Sequence, residues 1–151
     1  MTTGKRHLDD FMELVARVRS EHPNWFRLRG DLPATVEQLD AVERSLGCRL
    51  PEDYREFLAV FGGHDFAFVS IYSADPESRA YVVSQNATPW LEDAKFVAFA
   101  DNGGGDYYGW VVSDGMAADQ VMLLDHSSGE VVPSDFEDFL DFVKREGLRY
   151  R

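Results

Sequence analysis

The sequence predicts an α+β fold: a single domain over residues 1–151 in which helices pack on a mainly antiparallel sheet. Three observations carry this. Apolar residues recur at helical spacing as far as Phe61. From Phe66 the period shortens to that of strands punctuated by glycine-rich turns, and a helical pattern returns after Ser134. A chain of 151 residues with 44% hydrophobic content is long enough to bury one real core.

The elements follow in order. Leu8, Phe11, Met12, Val15 and Val18 predict a helix over residues 8–19. Pro23, Gly30 and Pro33 then break the period, so residues 1–31 read as a helix and a connecting segment. Thr35 and Gln38 have capping-box spacing, with Val36, Leu39, Val42 and Leu46 on the inward face and Gly47 as the C-terminal cap. Pro51 opens the next helix, with Glu52 and Asp53 at its positive end. Tyr54, Phe57, Leu58 and Phe61 form its buried stripe, and Gly62-Gly63 stops it.

FAFVSIY (66–72), KFVAFA (95–100), YYGWVV (107–112), QVMLLD (120–125) and GEVVP (129–133) read as strands. RAYVVSQ (79–85) suits either a strand or a short helix. A final helix is expected after a Ser134 or Asp135 cap. It buries Phe136, Phe139, Leu140 and Val143 and turns Glu137, Asp138 and Asp141 to water.

Charge narrows the function classes. Fifteen basic against 27 acidic residues give a net charge of −12. Residues 1–30 carry six basic and four acidic groups, whereas residues 96–143 hold ten carboxylates and no lysine or arginine. Such a half repels phosphate backbones and attracts a basic partner, so direct nucleic-acid binding is not expected. An acidic surface also serves solubility alone. The N-terminus has no apolar run of signal-peptide length and no stretch is long enough to span a bilayer. The single Cys48 fits a reducing compartment, so a cytoplasmic location is expected.

The motif FADNGGGDYYGWVV (99–112) invites a phosphate or metal reading. Tyr108 occupies the last glycine position of G-x-G-x-x-G, a strand rather than a helix follows, and no lysine is present for a P-loop. Asp101, Asn102 and Asp106 offer oxygen ligands, but calcium-loop spacing is absent. Successive glycines reach positive φ without steric cost, so NGGGD is expected to be a hairpin turn. His7, His22, His64 and His126 are scattered, DHSSGE has turn composition, and Cys48 has no adjacent histidine. No nucleophile, base and oxyanion stabiliser assemble, and no catalytic residue, cofactor or metal is expected.

TVEQLDAVERSLGCRLPEDYREFLAVFGG, FVAFADNGGGDYYGWVV and VMLLDHSSGEVVPSDFEDFLDFV occur in the order and spacing of the SUKH superfamily, the Smi/Knr-like group. The chain resembles that group over residues 32–143. The resemblance implies a bacterial immunity protein that binds and neutralises a cognate polymorphic or contact-dependent toxin, a basic nuclease being the expected partner. A monomer or weak homodimer is expected, and the lack of a spanning apolar run predicts no membrane association. The alternatives are a regulatory scaffold of the same fold without a toxin, and a small-molecule binder or enzyme. Asp101, Asp106, Tyr107, Tyr108, Asp114 and Asp119 are the expected partner-binding residues, on the ground that turns and strand edges expose them near one end of the sheet.

Overall fold

The computed structural model describes residues 3–150, with side chains from His7 onward. Helix α1 (Thr3–Glu21) is longer than its apolar repeat predicts and buries Phe11, Leu14, Val15 and Val18. A single 3-10 turn, Pro23–Phe26, follows.

Helices α2 (Val36–Leu46) and α3 (Glu52–Phe61) begin and end where local sequence signals place them. Thr35 Oγ1 accepts from Gln38 N–H, and Gln38 Oε1 accepts from Thr35 N–H, each at 3.1 Å, which completes the capping box. Gly47 ends α2 at φ 72° and Gly62 ends α3 at φ 84°. Arg55 of α3 reaches Asp40 and Glu43 of α2 at 3.2 and 2.6 Å and clamps the pair.

One face assignment needs correction. Val36 is 64% exposed, because at the first turn of α2 its side chain falls outside the stripe that Leu39 and Val42 bury.

The expected strand over 66–72 is a hairpin of β1 (His64–Phe66) and β2 (Val69–Ile71), turned at Ala67 with φ 52°. The ambiguous 79–85 segment contains α4 (Val82–Gln85). An unforeseen α5 (Pro89–Asp93) follows, capped by Thr88 Oγ1 accepting from Leu91 N–H.

The main sheet comprises β3 (Phe96–Asp101), β4 (Tyr107–Ser113), β5 (Met116–Ala117), β6 (Met122–Leu124) and β7 (Val131–Pro133). Its order is β3-β4-β6-β7 with β5 on β4, all antiparallel. Gly109 of β4 is required by this packing, since a Cβ there would stand 2.1 Å from the Val97 carbonyl oxygen. The outer edge of β3 is closed by a side chain: Asn86 Oδ1 accepts from Ala98 N–H at 2.8 Å, and its Nδ2 donates to Ala98 O at 2.9 Å and Val82 O at 2.8 Å. Tyr72 N–H donates to Phe99 O on the same edge.

The last helix, α6 (Phe139–Phe142), starts later than expected. Asp138 caps it, accepting from Asp141 N–H at 2.9 Å, whereas the Ser134 hydroxyl donates to Val121 O. A π turn, Val143–Gly147, extends it. Phe136, Phe139, Leu140 and Val143 are buried as the pattern predicts.

The core is aromatic. Tyr54, Phe57, Phe99, Trp110 and Phe139 are fully buried, with the Phe139 ring 5.0–5.2 Å from those of Tyr54, Phe57 and Phe99. The Tyr54 hydroxyl is satisfied by donating to Tyr72 O at 2.6 Å.

Candidate functional site

The glycine-rich loop closes on itself. Asn102 Oδ1 accepts from Gly104 and Asp106 N–H, and its Nδ2 donates to Asp106 Oδ2 at 2.9 Å. Asp101 Oδ1 accepts from Gly103 N–H, and Gly103 and Gly105 stand at φ 77° and 104°. The loop's own side chains take the N–H groups of Gly103, Gly104 and Asp106, donors that a phosphate would need, and the segment is a turn with carboxylates on its shoulders.

Those carboxylates are anchored. Tyr72 donates its hydroxyl to Asp101 Oδ2 at 2.7 Å; burial first, and this bond next, raise the phenol's pKa. Asp106 Oδ1 accepts from the His126 backbone N–H at 2.9 Å and from its Nδ1 at 2.6 Å. The His126 backbone N–H, then its imidazole and the Asn102 amide, bring the Asp106 carboxyl down to about 2, and the same contact raises His126.

Asp106, Asp125 and His126 thereby bring three ligand-type atoms within 4.8 Å. Their lone pairs already serve turns: Asp125 accepts from Ser127 N–H and Ser128 Oγ. The cluster ties the β3–β4 loop to the turn after β6.

The two tyrosines lie on opposite faces of β4, as strand alternation requires. Tyr107 meets Trp90 edge-to-face at 5.8 Å, whereas Tyr108 packs against Phe142 at 4.8 Å and Phe136 at 5.8 Å. Each is half-buried rather than exposed. Burial, and then the charges of Glu146, Asp106 and Asp135, raise the Tyr108 phenol.

The expected residues do not gather at one end of the sheet. Asp101, Asp106, Tyr107 and Tyr108 lie at the start of β4, but Asp114 follows its far end at φ 53°. Eight residues of extended chain place Asp106 and Asp114 roughly 25 Å apart. Asp119 is exposed on the segment between β5 and β6, close enough to Asp53 for its charge to act on that carboxyl. Burial, then Asp138 and Asp119, push the Asp53 carboxyl up to about 7. No local pattern in the sequence announces this convergence, because the three aspartates belong to three distant segments.

Exposed carboxylates nevertheless run the length of this half: Asp101, Asp114, Asp119, Glu130, Asp135 and Glu137. Cys48 is buried and its thiol is raised by burial. Among the described residues no helix is long and apolar enough to cross a membrane.

No curated protein matches the chain in a sequence comparison. A family match covers residues 33–141, which takes in α2, α3, the whole sheet and the start of α6. By that match the chain belongs to the SMI1 / KNR4 family (SUKH-1).

Proposed function

We propose that the protein is an immunity protein that binds and neutralises a cognate polymorphic or contact-dependent toxin, a basic nuclease domain, in the cytoplasm. The observation that carries this reading is the stretch 96–143: ten carboxylates, no lysine or arginine, on a chain of the SMI1 / KNR4 family. Carboxylates at the rim of an interface chiefly raise the association rate, and a half-buried aromatic on whichever face of β4 is docked, Tyr107 on one or Tyr108 on the other, supplies slow dissociation. An interface of ordinary size, about 800 Å² a side, is about 30 Å across and can reach both ends of β4. Asp101, Asp106, Tyr107, Tyr108, Asp114 and Asp119 remain the proposed contacts.

The structure changes which variants test this. Asp106 holds two turns together, so its loss disturbs more than charge. Asp114 and Asp119 are exposed, and asparagine tolerates the left-handed backbone at position 114. Asp114→Asn with Asp119→Lys is expected to slow association with the toxin encoded beside this gene and to flatten its salt dependence. It should also weaken growth rescue. Unchanged kinetics at two ionic strengths with full rescue would defeat the acidic-face mechanism. A neighbouring gene product that is no toxin would favour the regulatory-scaffold reading instead.

A further inference from the structure

The segment around Leu28 carries a surface of different character from the acidic half. Leu32, Leu28 and Val36 are the three most exposed large apolar side chains among the described residues, at 84, 69 and 64%. They share one short segment with the exposed Arg27 and Arg29. Beside it lies a cleft of about 360 Å³ lined by Arg19, Phe26, Leu28, Arg29, Phe61 and, as its one acid, Asp65. The Arg19 guanidinium sits over the Phe26 ring at 4.7 Å, and His22 stacks flat on Trp25 at 3.9 Å.

This exposure is built into the fold. Asp31 N–H donates to Gly63 O at 3.0 Å and Ala34 N–H to Leu58 O at 2.9 Å, so the segment is pinned against the end of α3. Gly30 runs so close that a Cβ would stand 2.4 Å from Gly63 O. A pinned segment thus turns two leucines and a valine to water, apolar surface that a partner could bury.

We propose that residues 27–36 and the adjoining cleft form a second interaction surface, and that it docks an acidic polypeptide segment bearing apolar side chains. Charge complementarity selects this occupant. Arginine pairs carboxylates with two parallel hydrogen bonds, and Arg19 and Arg29 line the cleft beside Phe26, Leu28 and Phe61, so that acidic and apolar side chains of one segment find matching neighbours. A polyanion or an anionic bilayer presents dense charge over a long range, which the net −12 of the whole molecule opposes. A short segment with few carboxylates feels chiefly the arginines within a Debye length, about 8 Å. Residues 27–32 of this surface precede residue 33, where the family match begins. The second surface does not rest on the toxin reading.

Calorimetry on the full chain tests the proposal, with a soluble peptide of interspersed glutamate and leucine as probe. The peptide is expected to bind, and both Arg27→Glu with Arg29→Glu and Leu28→Ser with Leu32→Ser are expected to weaken it at least about tenfold. These positions are exposed, so the melting temperature should stay put. Asp114→Asn with Asp119→Lys should leave peptide binding unchanged, which separates this surface from the acidic one. Absent binding, equal binding of a lysine–leucine peptide, or native affinity in both double variants would overturn the proposal. So would preferential binding to phosphatidylglycerol vesicles or to oligo-deoxythymidine.

Discussion

Asp106 and His126 fasten two turns that lie far apart in sequence: one carboxylate oxygen receives both the histidine's backbone N–H and its Nδ1–H. The pair is fully formed when the aspartate is ionised and the imidazole protonated. Its contribution is therefore present above the ordinary aspartate pKa of 3.8 and below the ordinary histidine value of 6.5. It fades as pH falls through about 2 or rises through the elevated His126 pKa. In an NMR titration His126 should titrate above the usual imidazole range and return to it in Asp106→Asn. A midpoint indifferent to that substitution would show that the tie does not exist in solution.

The three loop glycines are not equivalent. Gly105 has φ 104° and a Cβ there would meet the His126 ring at 3.2 Å, whereas Gly104 lies outside the positive-φ region with nothing closer than 3.5 Å. Gly105→Ala should cost about 1–3 kcal/mol, and Gly104→Ala should be nearly neutral. Equal melting temperatures for the two variants would contradict this geometry.

Phe57 touches the rings of Phe11, Phe61, Phe66 and Phe139 and is fully buried. Phe57→Ala should destabilise by about 3–5 kcal/mol in denaturant unfolding, whereas Val36→Ser, at an exposed position, should leave the midpoint nearly unchanged. The opposite ranking would mean that the face of α2 is turned the other way.

Asp53 supplies a pH signature. Its folded pKa of about 7 lies above its ordinary value of 3.8, so between these limits the folded state takes up a proton that the unfolded chain does not. The resulting stabilisation is complete below about 4 and is lost as pH rises through 7. Asp53→Asn should raise stability at pH 8 by up to about 4 kcal/mol and do little at pH 4. A pH-independent difference between the two proteins would assign the effect to something other than ionisation.

Elements whose signals are local were readable in advance. Thr35 with Gln38, Gly47 and Gly62 carry their capping chemistry in a few residues, and NGGGD and DHSSGE have turn composition whatever surrounds them. What escaped has no signal in the residue pattern itself. β5 is two residues long and exists because Val112 and Ala117 pair across a turn; the 66–72 run splits because Ala67 adopts a left-handed backbone. The acidic balance of the candidate surface was plain from the sequence, but its distribution was not. Strand alternation alone sends Tyr107 and Tyr108 to opposite faces, and the length of β4 alone separates Asp106 from Asp114. The Asp53–Asp119–Asp138 convergence needed the folded chain.

The Asn86 side chain that seals β3 bears on aggregation. An unpaired strand edge is a template on which another chain can grow, and an apolar edge such as FVAFA would be a hazardous one. Here a carboxamide occupies both the donor and the acceptor of Ala98, and Tyr72 takes the neighbouring carbonyl. At the far side of the sheet β7 offers only three residues and ends in Pro133, which has no N–H to donate. Neither rim of the main sheet gives an incoming strand a continuous ladder, so copies of this molecule crowded together find no template there on which to polymerise.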